Sequence, residues 1–157
     1  MSRFATREVR ERSSVSIAVM ALVTGYAVYA LARPATRSFL LWHVSAPSLV
    51  LPSQLSWLLG SAPSFLHTLA FAILLAVAIG GDRHRRFVAC LAWGAIEIAA
   101  EFAQLPAVGG WLEAHAPTIA QLSIVRNFLA GTFAVADAMA ALIGTTLAAT
   151  CVSIRRR

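Results

Sequence analysis

The chain is 157 residues long with 59% hydrophobic and 13% charged residues, a mean hydropathy of +0.73 and a formal charge of +6. A soluble domain is nearer to a quarter charged, so these values exclude an ordinary small globular enzyme and point to a membrane protein. All 13 basic residues are arginine, and they flank apolar runs, which assigns the charge to membrane topology and excludes nucleic acid as a partner.

Four apolar stretches approach the roughly 20 helical residues needed to cross about 30 Å of hydrocarbon. They run from about Val15 to Ala32, Ser64 to Gly80, Phe87 to Leu105 and Phe133 to Ile154. Lipid leaves an open sheet edge unsatisfied, so the expected fold is all-α, an integral membrane four-helix bundle. Arg3, Arg7, Arg10 and Arg12 precede the first span, Arg83, Arg85 and Arg86 join the second to the third, and Arg155, Arg156 and Arg157 end the chain. Arg33, Arg37 and Arg126 fall on the other side, so the positive-inside rule predicts both termini in the cytoplasm. A rival reading takes the basic start and Ala30-Leu31-Ala32 as a cleaved secretory signal. The run from Val15 to Ala32 is long for that and has no break.

Both outer loops are expected to lie on the membrane as interfacial half-helices. The first, from Arg33 to Pro63, carries Phe39, Trp42, His43 and Trp57, and Ser53 is placed to cap a short helix over 54–59. The second, from Pro106 to Thr132, offers a helix after Pro117 with Leu122, Val125, Phe128 and Leu129 on one face and Ser123, Arg126 and Asn127 on another. Cys90 and Cys151 fall near cytoplasmic helix ends, where neither a disulfide nor a metal site is expected.

Acidic residues inside the apolar spans carry the functional signal. An ionised carboxylate at mid-bilayer costs about 2.5–3.5 kcal/mol on insertion scales, and such residues face a bundle interior, a partner or a polar cavity. Glu97, Glu101 and Gln104 follow i, i+4, i+7 spacing on the third span and share a face that Cys90 and Gly94 extend with small side chains. Asp137, Ala141, Gly144 and Ala148 form a similar stripe on the fourth, so the two faces are expected to pack together with Glu101 near Asp137. Depth along the helices places His67, Glu101, Gln104 and Asp137 near the outer surface as a candidate ligand-binding cluster, with Glu97 deeper and Arg126 as a further polar candidate. Such a cluster can bind a cation, pass protons or grip a polar headgroup; the competing reading is a hydrogen-bonded pin between helices. HExxH, GxSxG, P-loop and CxxC patterns are absent, so no metal, cofactor or catalytic residue is assigned.

These residues resemble the VanZ-like family of small bacterial membrane proteins from about Ser64 to Ala149. The resemblance rests on Phe65-Leu66-His67-Thr68-Leu69-Ala70-Phe71, on Glu101-Phe102-Ala103-Gln104, and on Gly131-Thr132-Phe133 with Asp137 and Gly144. Glu101, Gln104, Asp137 and Gly144 match the family's Glu-x-x-Gln and Asp-x-x-x-Asn-x-x-Gly spacing. Ala141 stands where the family often has Asn, and no arginine precedes Asp137 at the usual interval. The resemblance implies an inner-membrane protein of the bacterial envelope, in a family whose founding member is an accessory factor in teicoplanin resistance, and it names no reaction. The leading expectation is a non-enzymatic protein that binds a lipid headgroup or amphiphile, with membrane lipids as its partners. The alternatives are an intramembrane enzyme using Glu101 or Asp137 as general acid or base on a lipid-linked substrate, or a proton-coupled carrier, which would need to form a homo-oligomer to enclose a path.

Overall fold

A computed structural model describes residues 2–32, 53–129, 131 and 133–153. The described residues form seven helices and no strand: α1 (Ser2–Ala32), α2 (Ser53–Ile79), α3 (Arg83–Ala103), α4 (Pro106–His115), α5 (Pro117–Ala120), α6 (Ser123–Leu129) and α7 (Val135–Ser153). Three of them are long and apolar enough to cross a membrane, over Glu11–Tyr29, Leu59–Ile79 and Val135–Ser153. The acids and arginines of α3 leave it short of that standard alone, and it becomes a fourth candidate span together with α4. The expected half-helices of the first outer loop, with Trp42 and His43, lie outside the described residues up to position 52.

Helix boundaries follow local chemistry and differ from expectation at several ends. The basic start, expected to lie outside the first span, is the first half of α1; arginine and glutamate are good helix formers, and neither glycine nor proline interrupts Ser2 to Thr24. The short helix expected at 54–59 and the span expected from Ser64 are a single helix, α2, with Pro63 inside it. Pro63 lacks the N–H that would reach the Leu59 carbonyl, a loss that helices in membranes tolerate where neighbouring polar groups compensate. Gly80 (φ 63°) and Gly81 (φ 78°) then end α2 in the left-handed region, where a Cβ would be strained. Asp82 starts α3 by accepting the Arg85 N–H at 2.9 Å, and this hydrogen bond holds its carboxyl below the usual carboxylate range.

The far end of α3 is broken by Leu105-Pro106. Gln104 N–H donates to the Glu101 carbonyl at 3.1 Å, tightening the last turn, and Leu105 is extended (φ −63°, ψ 135°) as a residue before proline must be. Pro106 opens α4 at an angle of 82° to α3. The single helix expected after Pro117 is two pieces, α5 and α6, preceded by the unexpected α4. Trp111, Ile119, Leu122, Ile124 and Phe128 are exposed along this segment.

The packing is built from small residues. Ala18, Ala70, Ala72, Ala76, Cys90 and Ala148 are wholly buried, and Ile73 is the largest side chain to be nearly so. Large apolar residues such as Met20, Val23, Ile96, Met139 and Ile143 point outward. In water this arrangement would expose a costly surface; against lipid tails it costs nothing, and small residues let the helix backbones approach closely. α2 is the central element and packs on α1, α3 and α7, while α7 also packs on α3. The expected match of the third and fourth spans is seen as an α3–α7 contact, with a different set of residues. A Cβ on Gly94 would collide with the Thr145 hydroxyl of α7, whereas Gly144 faces α2 and Cys90 donates to the α2 carbonyl of Ala72 at 3.5 Å. The stripe on α7 is thus shared between two neighbours, because α7 sits in the groove between α2 and α3.

Candidate functional site: a polar cavity between four helices

The tight Gly80-Gly81 turn sets the register of α2 against α3, since an antiparallel pair leaving one turn meets at equal distances from it. His67 and Glu97 each lie fifteen residues from Asp82, and Phe71 and Trp93 each lie eleven. His67 Nε2 accordingly approaches Glu97 Oε1 at 3.2 Å, and the Phe71 and Trp93 rings stack at 5.2 Å. His67 also lies 4.5 Å from the Phe71 ring, so the imidazole stands on an aromatic base with one nitrogen turned to a carboxylate. Its side chain is half exposed, and that of Glu97 is one-fifth exposed.

Above this pair opens a cavity of about 1060 Å³. α3 and its C-cap supply Glu97, Glu101 and Gln104 to its wall, α2 supplies Gly60, Ser61, Pro63, Ser64 and His67, and the start of α7 supplies Asp137, Val135 and Ala136, with Ala134 just before it. α1 closes the remaining side with Leu22, Gly25, Tyr26 and Tyr29. The space exists because α1 packs on α2 and not closely on α3 or α7. At the opposite end Arg86 of α3 reaches Glu11 of α1 at 2.9 Å. α1 and α3 thus touch through these two long side chains at the end away from the cavity.

The four residues of the expected cluster, His67, Glu101, Gln104 and Asp137, all line this cavity. Glu97, the further polar candidate expected deeper, also lines the cavity, as the partner of His67. Arg126, the other further polar candidate, is exposed on α6 and is not among the residues that line it. Asp137 lies in the first turn of α7, where a carboxylate meets the positive end of the helix dipole. Gln104 is held against Gly131, where a Cβ would come within 2.7 Å of its Oε1. Phe133 stacks on Phe102 at 5.4 Å and ties the entry of α7 to the end of α3.

Tyr26, Tyr29 and Ser61 belong to the wall and were not singled out from the sequence, and Ser64, three residues before His67, joins them. Tyr26 and Tyr29 follow i, i+3 spacing at the end of the first span, and counting residues from the Gly80-Gly81 turn would have set Gly60 and Pro63 level with Gln104 and Glu101. Among the described residues no three His, Cys, Asp or Glu side chains converge closely enough to hold a metal ion. The wall thus offers dispersed hydrogen-bond acceptors and one imidazole–carboxylate pair above an apolar base. No family model, curated protein or solved structure matches the chain.

Proposed function

We propose that the chain is a four-span protein of the bacterial inner membrane, of the VanZ-like kind, whose cavity opens outward and binds a lipid headgroup or amphiphile. One observation carries this reading: a cavity of about 1060 Å³ between membrane-type helices gathers His67, Glu97, Glu101, Gln104 and Asp137. Its volume is of the order of small-molecule sites, and its mixture of carboxyl, amide and aliphatic wall suits a ligand with a polar head and an apolar body. The proposed topology puts both termini inside, with α3 and α4 as one broken span or a span followed by a re-entrant turn. The contact of Glu11 with Arg86 supports it, because it brings the first half of α1 to the same end as the arginine-rich start of α3. Reporter fusions after Arg37 and Glu113 are expected to read outside, and fusions after Arg86 and Arg157 inside. A periplasmic C-terminus would overturn the four-span arrangement.

The ligand reading is tested by native mass spectrometry of the protein extracted in a mild neutral detergent, which should show a retained lipid or amphiphile. Glu101→Gln and Asp137→Asn keep shape and hydrogen-bonding capacity, so both should preserve abundance and thermal midpoint while retention falls about tenfold. His67→Ala should act in the same direction, and His84→Ala, on the exposed start of α3, should not. If all three cluster variants lose thermal stability first and retain ligand normally, the residues are an interhelical pin.

A second reading is favoured by the contact between His67 Nε2 and Glu97 Oε1. An imidazole oriented by a carboxylate, on the wall of a cavity that also holds Ser61 and Ser64, is an arrangement suited to general-base catalysis on a lipid-linked substrate. It moves the acid–base role expected of Glu101 or Asp137 to His67. Turnover of a bound lipid ester that His67→Ala abolishes, with binding retained, would select it.

A further inference from the structure

The charge of the cavity wall identifies the head that fits it. Three carboxyl residues line it, Glu97 and Glu101 from α3 and Asp137 from α7, and none of the chain's 13 arginines does so among the described residues. We propose that the cavity selects an amphiphile with a primary ammonium headgroup, a proposal that rests on the amphiphile reading above and adds the sign and chemistry of the head.

The wall disfavours the other head chemistries. An anionic phosphate or carboxylate head would lie among three carboxyls with His67 as the one titratable nitrogen that the described residues bring to the wall, and His67 already meets Glu97 at 3.2 Å. Like charges held together cost affinity rather than lending it. A bare metal cation is disfavoured by geometry, since the described carboxyl and imidazole groups do not converge into a coordination set. An ammonium group is larger and carries three divergent N–H donors, which suits acceptors spread over two helices, namely Glu97, Glu101 and the Gln104 carbonyl on α3 and Asp137 on α7.

The opposite wall completes the fit. Tyr26 and Tyr29 line the α1 side, and tyrosine rings attract cations placed over their faces. Leu22 and Val135 add aliphatic surface for an alkyl chain, and both belong to helices apolar enough to lie in lipid. A small free amine would leave most of about 1060 Å³ unfilled, whereas an acylated or alkylated amine would fill it.

The experiment compares dodecylammonium, dodecyl phosphate and dodecanol, which share one tail, with butylammonium as the free-amine control. Each is titrated at neutral pH into the full-length protein in a neutral detergent and read by native mass spectrometry. Dodecylammonium is expected to bind at least about tenfold more tightly than dodecyl phosphate or dodecanol. The Glu101→Gln/Asp137→Asn double variant should lose about that factor for dodecylammonium alone, and Glu113→Gln, on α4 away from the cavity, should lose none. Equal or tighter binding of dodecyl phosphate or dodecanol overturns the ammonium assignment and leaves the amphiphile site standing. Butylammonium binding as tightly as dodecylammonium overturns the amphiphile and assigns the wall to free amines. Saturable binding of none of the four removes the site itself. Should the double variant fail to fold, the comparison of heads on the native chain still decides the matter.

Discussion

Gly144→Leu is expected to lower the stability of the helix assembly by about 3 kcal/mol or more, the upper range for overpacking a close contact. A Cβ at Gly144 would lie 2.7 Å from the backbone carbonyl oxygen of Phe65 and 3.2 Å from the backbone nitrogen of Leu69. Both obstacles are main-chain atoms within α2, so no rotamer change can make room, and α7 must move away from the central helix. Because α7 is wedged between α2 and α3, its displacement also opens the wall that carries Asp137. Thermal unfolding in neutral detergent measures the loss, with Gly109→Ala in α4 as the reference. A Cβ at Gly109 meets nothing within 4 Å, so that variant should be neutral or slightly more stable. A native midpoint for Gly144→Leu would mean that α2 and α7 do not approach this closely.

Loss of the contact between Glu11 and Arg86 should have the next largest effect. The Arg86 side chain is one-tenth exposed, and its Nη2 donates to Glu11 Oε1 at 2.9 Å. Glu11→Leu leaves a buried guanidinium without its counter-charge, which costs about 3 kcal/mol. The Glu11→Leu/Arg86→Met double variant should recover most of the loss, since an apolar pair of similar volume often replaces a buried ion pair without penalty. Denaturant titration of the three proteins measures the cycle. If Arg86→Met alone is as costly as the double variant and Glu11→Leu alone is silent, the guanidinium draws its stability from another group. The contact joins α1 to α3 at the end away from the cavity.

How much of this was legible beforehand follows from which signals are local. Composition alone places the chain among helical membrane proteins, because a run of apolar residues in lipid must satisfy its own backbone hydrogen bonds. Helix ends were legible where one residue dictates the backbone, as at Gly80 and Pro106, but not at Asp82, where the arginines expected to join two spans form the first turn of α3. They were misjudged where a proline or a charged stretch suggested a break that neighbouring turns override, as at Pro63 and before Val15. The i, i+4, i+7 spacing of Glu97, Glu101 and Gln104 was likewise enough to set them on one face of one helix.

Which residues meet across helices was decided by the tertiary structure. The same small-residue stripe on α7 serves two neighbours, with Gly144 against α2 and Thr145 against Gly94 of α3, and a helical wheel cannot say how many neighbours a face has. His67 meets Glu97 because a two-glycine turn fixes the register of α2 and α3, a distance relation that residue types do not encode by themselves. The wall formed by Tyr26 and Tyr29 depends on α1 packing against α2 and leaving a space between itself and the acids of α3. Which helices pack on which is not encoded in any one helix, and it turns a row of acids on α3 into the lining of a cavity.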